Sequence, residues 1–445
     1  MKKKTFSILL ILFVLVCIPV AAFAEGTTAI DSGDTTFSII SSALVFLMTP
    51  GLALFYGGMV RKKNVLNTML NSFIIMALIS VQWVLIGYTL AFGPDHGGVL
   101  GGLNWLGLNG VGGDPNPDYA GTIPHAAFAM YQLMFAIITP ALITGSFAER
   151  MRFPAFVVFI VLWATFVYDP LAHWVWGVGG WLRSLGALDF AGGTVVHISS
   201  GIAGLTAALV LGERKGYKTI PMIPHNIPFV LLGAALLWFG WFGFNAGSAL
   251  AANGLALNAF ATTNTAAAAA VLSWVIVEWI HHGKPTLLGA ATGAVVGLVA
   301  ITPAAGFVNV MASILIGFMV SPLCYFAISV VKPKLGYDDS LDAFGCHGIG
   351  GIWGALATGL FATKSVNPAG ADGLFYGNPH QLLVQLIAVV VTLAFSSIVT
   401  FIILKIVSLF TRLRASEAEE DDGLDVTLHG EDAYPDFTSD QSIAL

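Results

Sequence analysis

The chain has 445 residues, 56% of them hydrophobic and only 10% charged, with a formal net charge of −6 and a mean hydropathy of +0.83. A soluble domain carries about 25% charged residues, so this chain has too little polar surface to cover its apolar bulk. That excludes an ordinary cytosolic enzyme, a nucleic-acid binder and a disordered scaffold. Long uncharged runs recur without the short alternating segments of a β-barrel, which leaves an all-α polytopic membrane protein in a lipid bilayer.

Residues 1–24 carry Lys2, Lys3 and Lys4, an apolar stretch from Phe6 to Val20, and then Ala22-Phe23-Ala24. This is the order of a secretory signal, the alternative being an uncleaved first helix. Cleavage after Ala24 places the mature N-terminus outside. Apolar spans follow at 37–59, 65–92, 124–147, 154–174, 191–211, 227–250, 257–280, 286–304, 308–331, 342–362 and 382–410. Eleven transmembrane helices put the C-terminus inside. Of the 19 Lys and Arg, three lie in the signal; fourteen of the rest fall on the inner side and only Arg183 and Lys364 outside, as the positive-inside rule asks of this topology.

The longest outer loop, 93–123, is rich in Gly, Asn, Asp and Pro and reads as turns. After Arg414 the composition changes to ten acidic residues, from Glu417 to Asp440. That tail reads as a solvated segment whose composition also fits disorder, too short for a catalytic or sensor domain. The organisation is therefore a signal (1–24), a membrane domain (25–414) and an acidic cytoplasmic tail (415–445). Cys17 lies in the signal, and Cys324 and Cys346 lie in spans. No disulfide, metal cluster or cofactor is expected.

Two spans share a pattern 150 residues apart: His197-x3-Gly201-x2-Gly204-x2-Ala207 and His347-x3-Gly351-x2-Gly354-x2-Ala357, preceded by Asp189 and Asp342. By the helix count the two spans run in opposite directions. This is a 5+5 inverted repeat followed by one C-terminal helix, an architecture of transporters. Equivalent residues of the two halves then meet near the midplane, and glycines at +4 and +7 clear a face for close packing.

A lone intramembrane His is more often structural, but a repeat-equivalent pair of them marks a functional site. Two neutral imidazoles can share one proton. A metal would need three or four ligands, and neither His has Cys, Asp or Glu at ligand spacing. Two further clusters are Trp241-Phe242-Gly243-Phe244-Asn245-Ala246-Gly247-Ser248 and Tyr131-Gln132-Leu133-Met134-Phe135. Aromatic faces beside a hydroxyl suit a small cation; the alternative is ordinary aromatic packing.

The runs Phe147-Ala148-Glu149-Arg150-Met151-Arg152, Ala187 to His197, Trp241 to Ser248, Asp342 to Gly348 and Gly423 to Tyr434 resemble the ammonium transporter family (Amt/Mep/Rh), and the tail resembles its Amt branch. The resemblance covers nearly the whole mature chain. It implies a homotrimer in the plasma membrane, each subunit with its own pore. Trp176, Phe135 and Ser248 would recruit ammonium at the outer side, with Asp189 capping the fifth helix nearby. Tyr131 stands where many relatives have Phe, and Trp174 and Trp181 are neighbours that could be confused with Trp176. Phe135 and Phe244 would form the gate, and His197 and His347 the twin His of the pore. A transporter or channel rather than an enzyme is expected: NH4+ is recruited and deprotonated, and NH3 is conducted with or without coupled proton transfer. A PII-type signalling protein is the expected partner at the inner face. Rival readings are an Rh-type neutral gas channel and an ammonium sensor.

Overall fold

The computed structural model describes residues 30–435; the proposed signal and the last ten residues lie outside that range. Nine helices among the described residues are long and apolar enough to cross a membrane, and the protein is a multi-pass membrane protein. These are α1 (Ser32–Met59), α2 (Lys62–Phe92), α3 (His125–Ser146), α4 (Phe153–Leu185), α5 (Gly193–Leu211), α6 (Ile227–Ala249), α7 (Gly254–His282), α9 (Val310–Leu335) and α11 (Pro379–Phe410). Two shorter apolar helices complete the set: α8 (Leu287–Ile301), and α10, in which a π turn at Phe344–Gly348 runs into Ile349–Phe361. In hydrocarbon the backbone must pair with itself, so uncharged runs of this length become helices. Side-chain caps meet the first free N–H groups at several starts: Asp31 on α1, Asn253 on α7, Thr286 on α8 and Asn309 on α9.

Five of these helices contain a π turn: Trp83–Gly87 in α2, Ala164–Tyr168 in α4, Gly193–Ile198 in α5, Ala327–Val331 in α9 and Phe344–Gly348 in α10. A π turn widens the helix locally and is frequent at functional sites. The turns of α5 and α10 contain His197 and His347.

The two helices cross through their glycines in a reciprocal way. A Cβ at Gly201 would lie 2.3 Å from the backbone nitrogen of Gly348, and a Cβ at Gly351 would lie 3.1 Å from both His197 Cβ and Gly193 O. The crossing is therefore close enough to bring the imidazoles together. The starts of α5 and α10 are capped alike. Asp189 accepts the N–H groups of Gly192, Gly193 and Thr194 at 2.7, 2.6 and 2.8 Å. Asp339 accepts those of Ala343 and Phe344 at 3.2 and 2.8 Å. This corrects the sequence pairing of Asp189 with Asp342. Asp339 is the residue 150 positions on, in the register of the His pair, whereas Asp342 sits at φ 58° and bonds Lys332 at 2.6 Å.

The outer loop folds into two short antiparallel pairs, Asp95–His96 with Leu100–Gly101 and Pro115–Asn116 with Ala120–Pro124. The described part of the tail, expected to be solvated, is folded onto the protein. Its helix α12 (Glu417–Asp422) starts with a capping box of Ser416 and Glu419. Arg414 Nε bonds Glu420 at 2.5 Å, and Lys215 Nζ bonds Asp421 at 2.5 Å. Asp425 then accepts the N–H groups of Leu66 and Asn67 at 3.0 and 2.8 Å, close to the start of α2. Leu424 is fully buried, and Tyr434 reaches His225 at 3.1 Å. Composition predicts solvation because these residues have no apolar face; the basic residues and free helix N–H groups of the neighbouring loops supply the partners instead.

Candidate functional site: vestibule, aromatic gate and histidine pair

A vestibule of about 250 Å³ opens among the ends of α3, α4 and α6, and Trp176, Phe135, Ser248, Asp189 and Gln132 all line it. Phe135 and Trp176 meet edge to face at 5.9 Å. Trp176 is held by its indole N–H, which donates to Asp189 O at 2.9 Å. Trp174 and Trp181 pack on each other at 5.7 Å, and Trp174 also packs against Phe395, so neither competes for the place of Trp176. Asp189 reaches the vestibule wall, yet both its oxygens are already used on the start of α5, where Thr194 Oγ1 adds a further bond. It can bring negative charge to the vestibule without being a free ligand.

The floor of the vestibule is the ring pair Phe135 and Phe244, 4.3 Å apart between centroids and each 1% exposed. Beneath them lies a cavity of only about 10 Å³, lined by apolar side chains such as Leu52, Ile138 and Val295 together with Trp241, His197 and His347. That is about the smallest space that holds one water molecule. A hydrated ion does not fit.

His197 and His347 meet through their Nδ1 atoms at 3.3 Å, with rings 19° from parallel. One Nδ1 carries the hydrogen and the other accepts it. Thr302 fixes the order. Its hydroxyl donates to Leu298 O at 2.8 Å and accepts from Trp241 Nε1 at 2.9 Å. The same oxygen lies 3.3 Å from His197 Nε2. With the threonine proton committed to Leu298 O, His197 Nε2 is the donor and its Nδ1 the acceptor. His347 Nδ1 then donates, and His347 Nε2 keeps a lone pair. Trp241 and Phe244 both stack near His197, at 5.5 and 6.1 Å.

The predicted site residues thus fall into two connected groups. Trp176, Phe135, Ser248 and Asp189 share the vestibule, Phe135 and Phe244 divide it from the cavity below, and the two histidines touch inside that cavity. Two residues had no role in the sequence reading. Thr302 orders the His pair. Gln132 presents a buried side-chain oxygen that has no partner, at the vestibule wall. Single polar letters in apolar spans have no periodicity to betray them, although Gln132 sits inside a run already singled out.

On the opposite face, Glu149 lies under Arg61 and Arg214. It accepts from Arg61 N at 2.7 Å and Arg61 Nε at 2.8 Å, with Arg214 Nη1 at 3.3 Å. Asp338 takes Arg214 through Nη2 at 2.8 Å and Nε at 2.9 Å. Burial pushes both carboxyl groups up, but the guanidinium groups outweigh it and hold both below the usual carboxylate range.

The model of the Ammonium Transporter Family matches residues 36–434. An ammonium transporter of Bacillus subtilis (strain 168) is 61% identical over 404 residues, 91% of this chain and 99% of that one. Among solved structures, Mep2 of Saccharomyces cerevisiae superposes with a TM-score of 0.83 at 38% identity, covering 87% of this chain and 88% of that one. A solved chain described as a sensor Amt protein superposes with a TM-score of 0.82 at 29% identity, over 89% and 98%.

Proposed function

The chain belongs to the ammonium transporter family, and on that premise we propose that it recruits NH4+ in the vestibule, strips one proton and passes NH3 through the cavity below. The observation that carries this reading is the change of medium along one axis. A roomy aromatic vestibule with polar oxygens gives way, across two touching phenyl rings, to an apolar space of about 10 Å³. Moving an unpaired ion into such a medium costs tens of kcal/mol in the idealised limit. Potassium, close in size to ammonium, has no proton to lose and stays outside. The aromatic faces of Trp176 and Phe135 attract the cation, and Ser248 Oγ and Gln132 Oε1 accept its N–H groups. Asp189 adds negative charge. Once neutral, the amine passes between Phe135 and Phe244 and meets the lone pair of the His pair, which gives it a polar contact without a cage of oxygens for a bare ion.

The topology belongs to the same reading. It counts α8 and α10 with the nine longer helices, giving eleven crossings, a 5+5 inverted repeat, the N-terminus outside and the tail inside. The reciprocal glycine contacts and the two equivalent Asp caps support the repeat. The contacts of Lys63, Arg152, Lys215 and Arg414 with the tail support one cytoplasmic face. Three such subunits assemble through apolar helix faces, and a PII-type protein docks at the inner face. The protein works as a transporter and not as an enzyme.

Solid-supported-membrane electrophysiology on proteoliposomes, with ammonium and potassium pulses, tests the mechanism. Wild-type protein is expected to respond to ammonium and to exclude potassium. A current accompanies transport if the proton follows, and a lumenal pH rise without current accompanies neutral ammonia. His347→Asp brings charge and water into the cavity and is expected to admit potassium. A His197→Ala/His347→Ala protein that kept full ammonium transport and full potassium exclusion would remove the pair from selectivity.

A further inference from the structure

We propose that Tyr131 is a positioning residue for the ammonium-accepting hydroxyl of Ser248, an inference that rests on the vestibule reading above. Tyr131 is fully buried on α3, one turn from Phe135, and its ring meets that of Phe135 at 5.1 Å. Its hydroxyl lies 2.9 Å from Gly243 O, 2.8 Å from Phe244 O and 3.2 Å from Ser248 Oγ. Ser248 Oγ in turn lies 2.9 Å from Phe244 O. Four oxygen atoms therefore share two hydroxyl protons. The two carbonyl oxygens can only accept; they stand in the last turns of α6, and that of Gly243 also takes the Gly247 N–H. The short distances send the tyrosine proton to these carbonyls and the serine proton to Phe244 O. Both protons point back into α6, and the lone pairs of Ser248 are left for the vestibule that it lines.

An ammonium ion brings donors only, so a hydroxyl locked as an acceptor is the arrangement it requires. The lock also holds the 3-10 turn Gly247–Ala249 that carries Ser248. Gly247 leaves room for this approach: a Cβ there would lie 2.7 Å from the tyrosine hydroxyl and 2.6 Å from Ser41 Cβ. Tyr131 lines neither the vestibule nor the cavity below. Its influence on the substrate must pass through Ser248 and the Phe244 backbone.

The test compares wild type, Tyr131→Phe, Ser248→Ala and the double variant in proteoliposomes, reading the half-saturating ammonium concentration separately from the maximal flux. Loss of one hydrogen-bond contribution raises half-saturation roughly two- to tenfold. Tyr131→Phe is expected to show that rise with maximal flux near wild type, and to add nothing in the Ser248→Ala background. Gly247→Ala, which crowds the same hydroxyl, is expected to shift half-saturation in the same direction and serves if Tyr131→Phe fails to fold. If Ser248→Ala shifts half-saturation and neither Tyr131→Phe nor Gly247→Ala does, the positioning role is wrong and the recruitment reading stands. If the effects of Tyr131→Phe and Ser248→Ala simply add, Tyr131 acts independently and the proposal fails. If Ser248→Ala also leaves half-saturation unchanged, the recruitment reading falls and the proposal with it.

Discussion

Replacing Glu149 by Gln removes the buried negative charge that Arg61 and Arg214 share. Glu149 is 1% exposed and sits at φ 71°, a backbone region that non-glycine residues seldom occupy. Breaking a fully buried ion pair costs about 3–5 kcal/mol. Here two features reduce that figure. Arg214 keeps Asp338 at 2.8 Å, and the Arg61 side chain is 19% exposed, so water can reach it. Gln also retains an acceptor for Arg61 N. The remaining loss is that of charge-assisted hydrogen bonds, about 1.5–3 kcal/mol. The folded pKa of Glu149 is held below its unfolded value of about 4.3. Its stabilisation is therefore complete above that unfolded value and is lost as pH falls through the folded one. Thermal unfolding in mild detergent, followed by tryptophan fluorescence, should show the variant melting below wild type near neutral pH. The gap should narrow as pH falls below the unfolded value of about 4.3 and close once pH has passed through the lower folded one, where the wild-type carboxylate is itself neutralised. An equal gap at neutral and acid pH would refute the electrostatic account and leave a packing defect in its place.

Other expectations follow from the same geometry. Gln132→Leu removes the unpartnered vestibule oxygen and should weaken ammonium recruitment about two- to tenfold, with Trp174→Leu as a nearby control that leaves recruitment unchanged; equal half-saturation in both would take Gln132 out of the site. Thr302→Val strips the acceptor from Trp241 N–H and His197 Nε2, and should lower stability by about 1–3 kcal/mol, with recovery in Thr302→Ser; a melting curve identical to wild type would dismiss the assigned hydrogen order. Deleting residues after Arg414 should leave the protein inserted but change its flux, since the tail bonds the loops at Asn64, Leu66 and Lys215; unaltered transport would make the docking purely structural.

Much of this was legible in the sequence because it has a period or a rare letter. The spans show as uncharged runs, and the two His stand out as scarce residues at equal spacing. The wrong partner chosen for Asp189 has a physical cause. Three aspartates, Asp338, Asp339 and Asp342, precede the second His, and only the course of the backbone tells which one turns back to cap α10. The tail was misread because acidic composition reports solubility, whereas its docking depends on partners at positions 63–67, 152, 215 and 225, which come together only after folding. Thr302 and Gln132 stayed hidden because each contributes through a single oxygen, which leaves no pattern in the sequence. The length of α8 also matters: at Leu287–Ile301 it is shorter than the nine long apolar helices, although the apolar run in the sequence extends over 286–304.

The crossing of α5 and α10 has a mechanical consequence. At Gly201 main chain lies against main chain, and at Gly351 the space is closed by Gly193 O together with the stems of Ile198 and His197. Sliding or rolling one helix over the other would drive backbone into backbone, so the crossing behaves as a rivet through the centre of the protein. A machine that exposes its cargo first to one side and then to the other by rocking two halves needs that joint to move. On the conduction reading proposed above, that joint stays pinned and passage falls to the swing of the two phenyl rings above it. Side-chain rotations belong to the picosecond-to-nanosecond range when unhindered, against microseconds to milliseconds for domain rocking. On that reading the chain is a fixed conduit with a shutter.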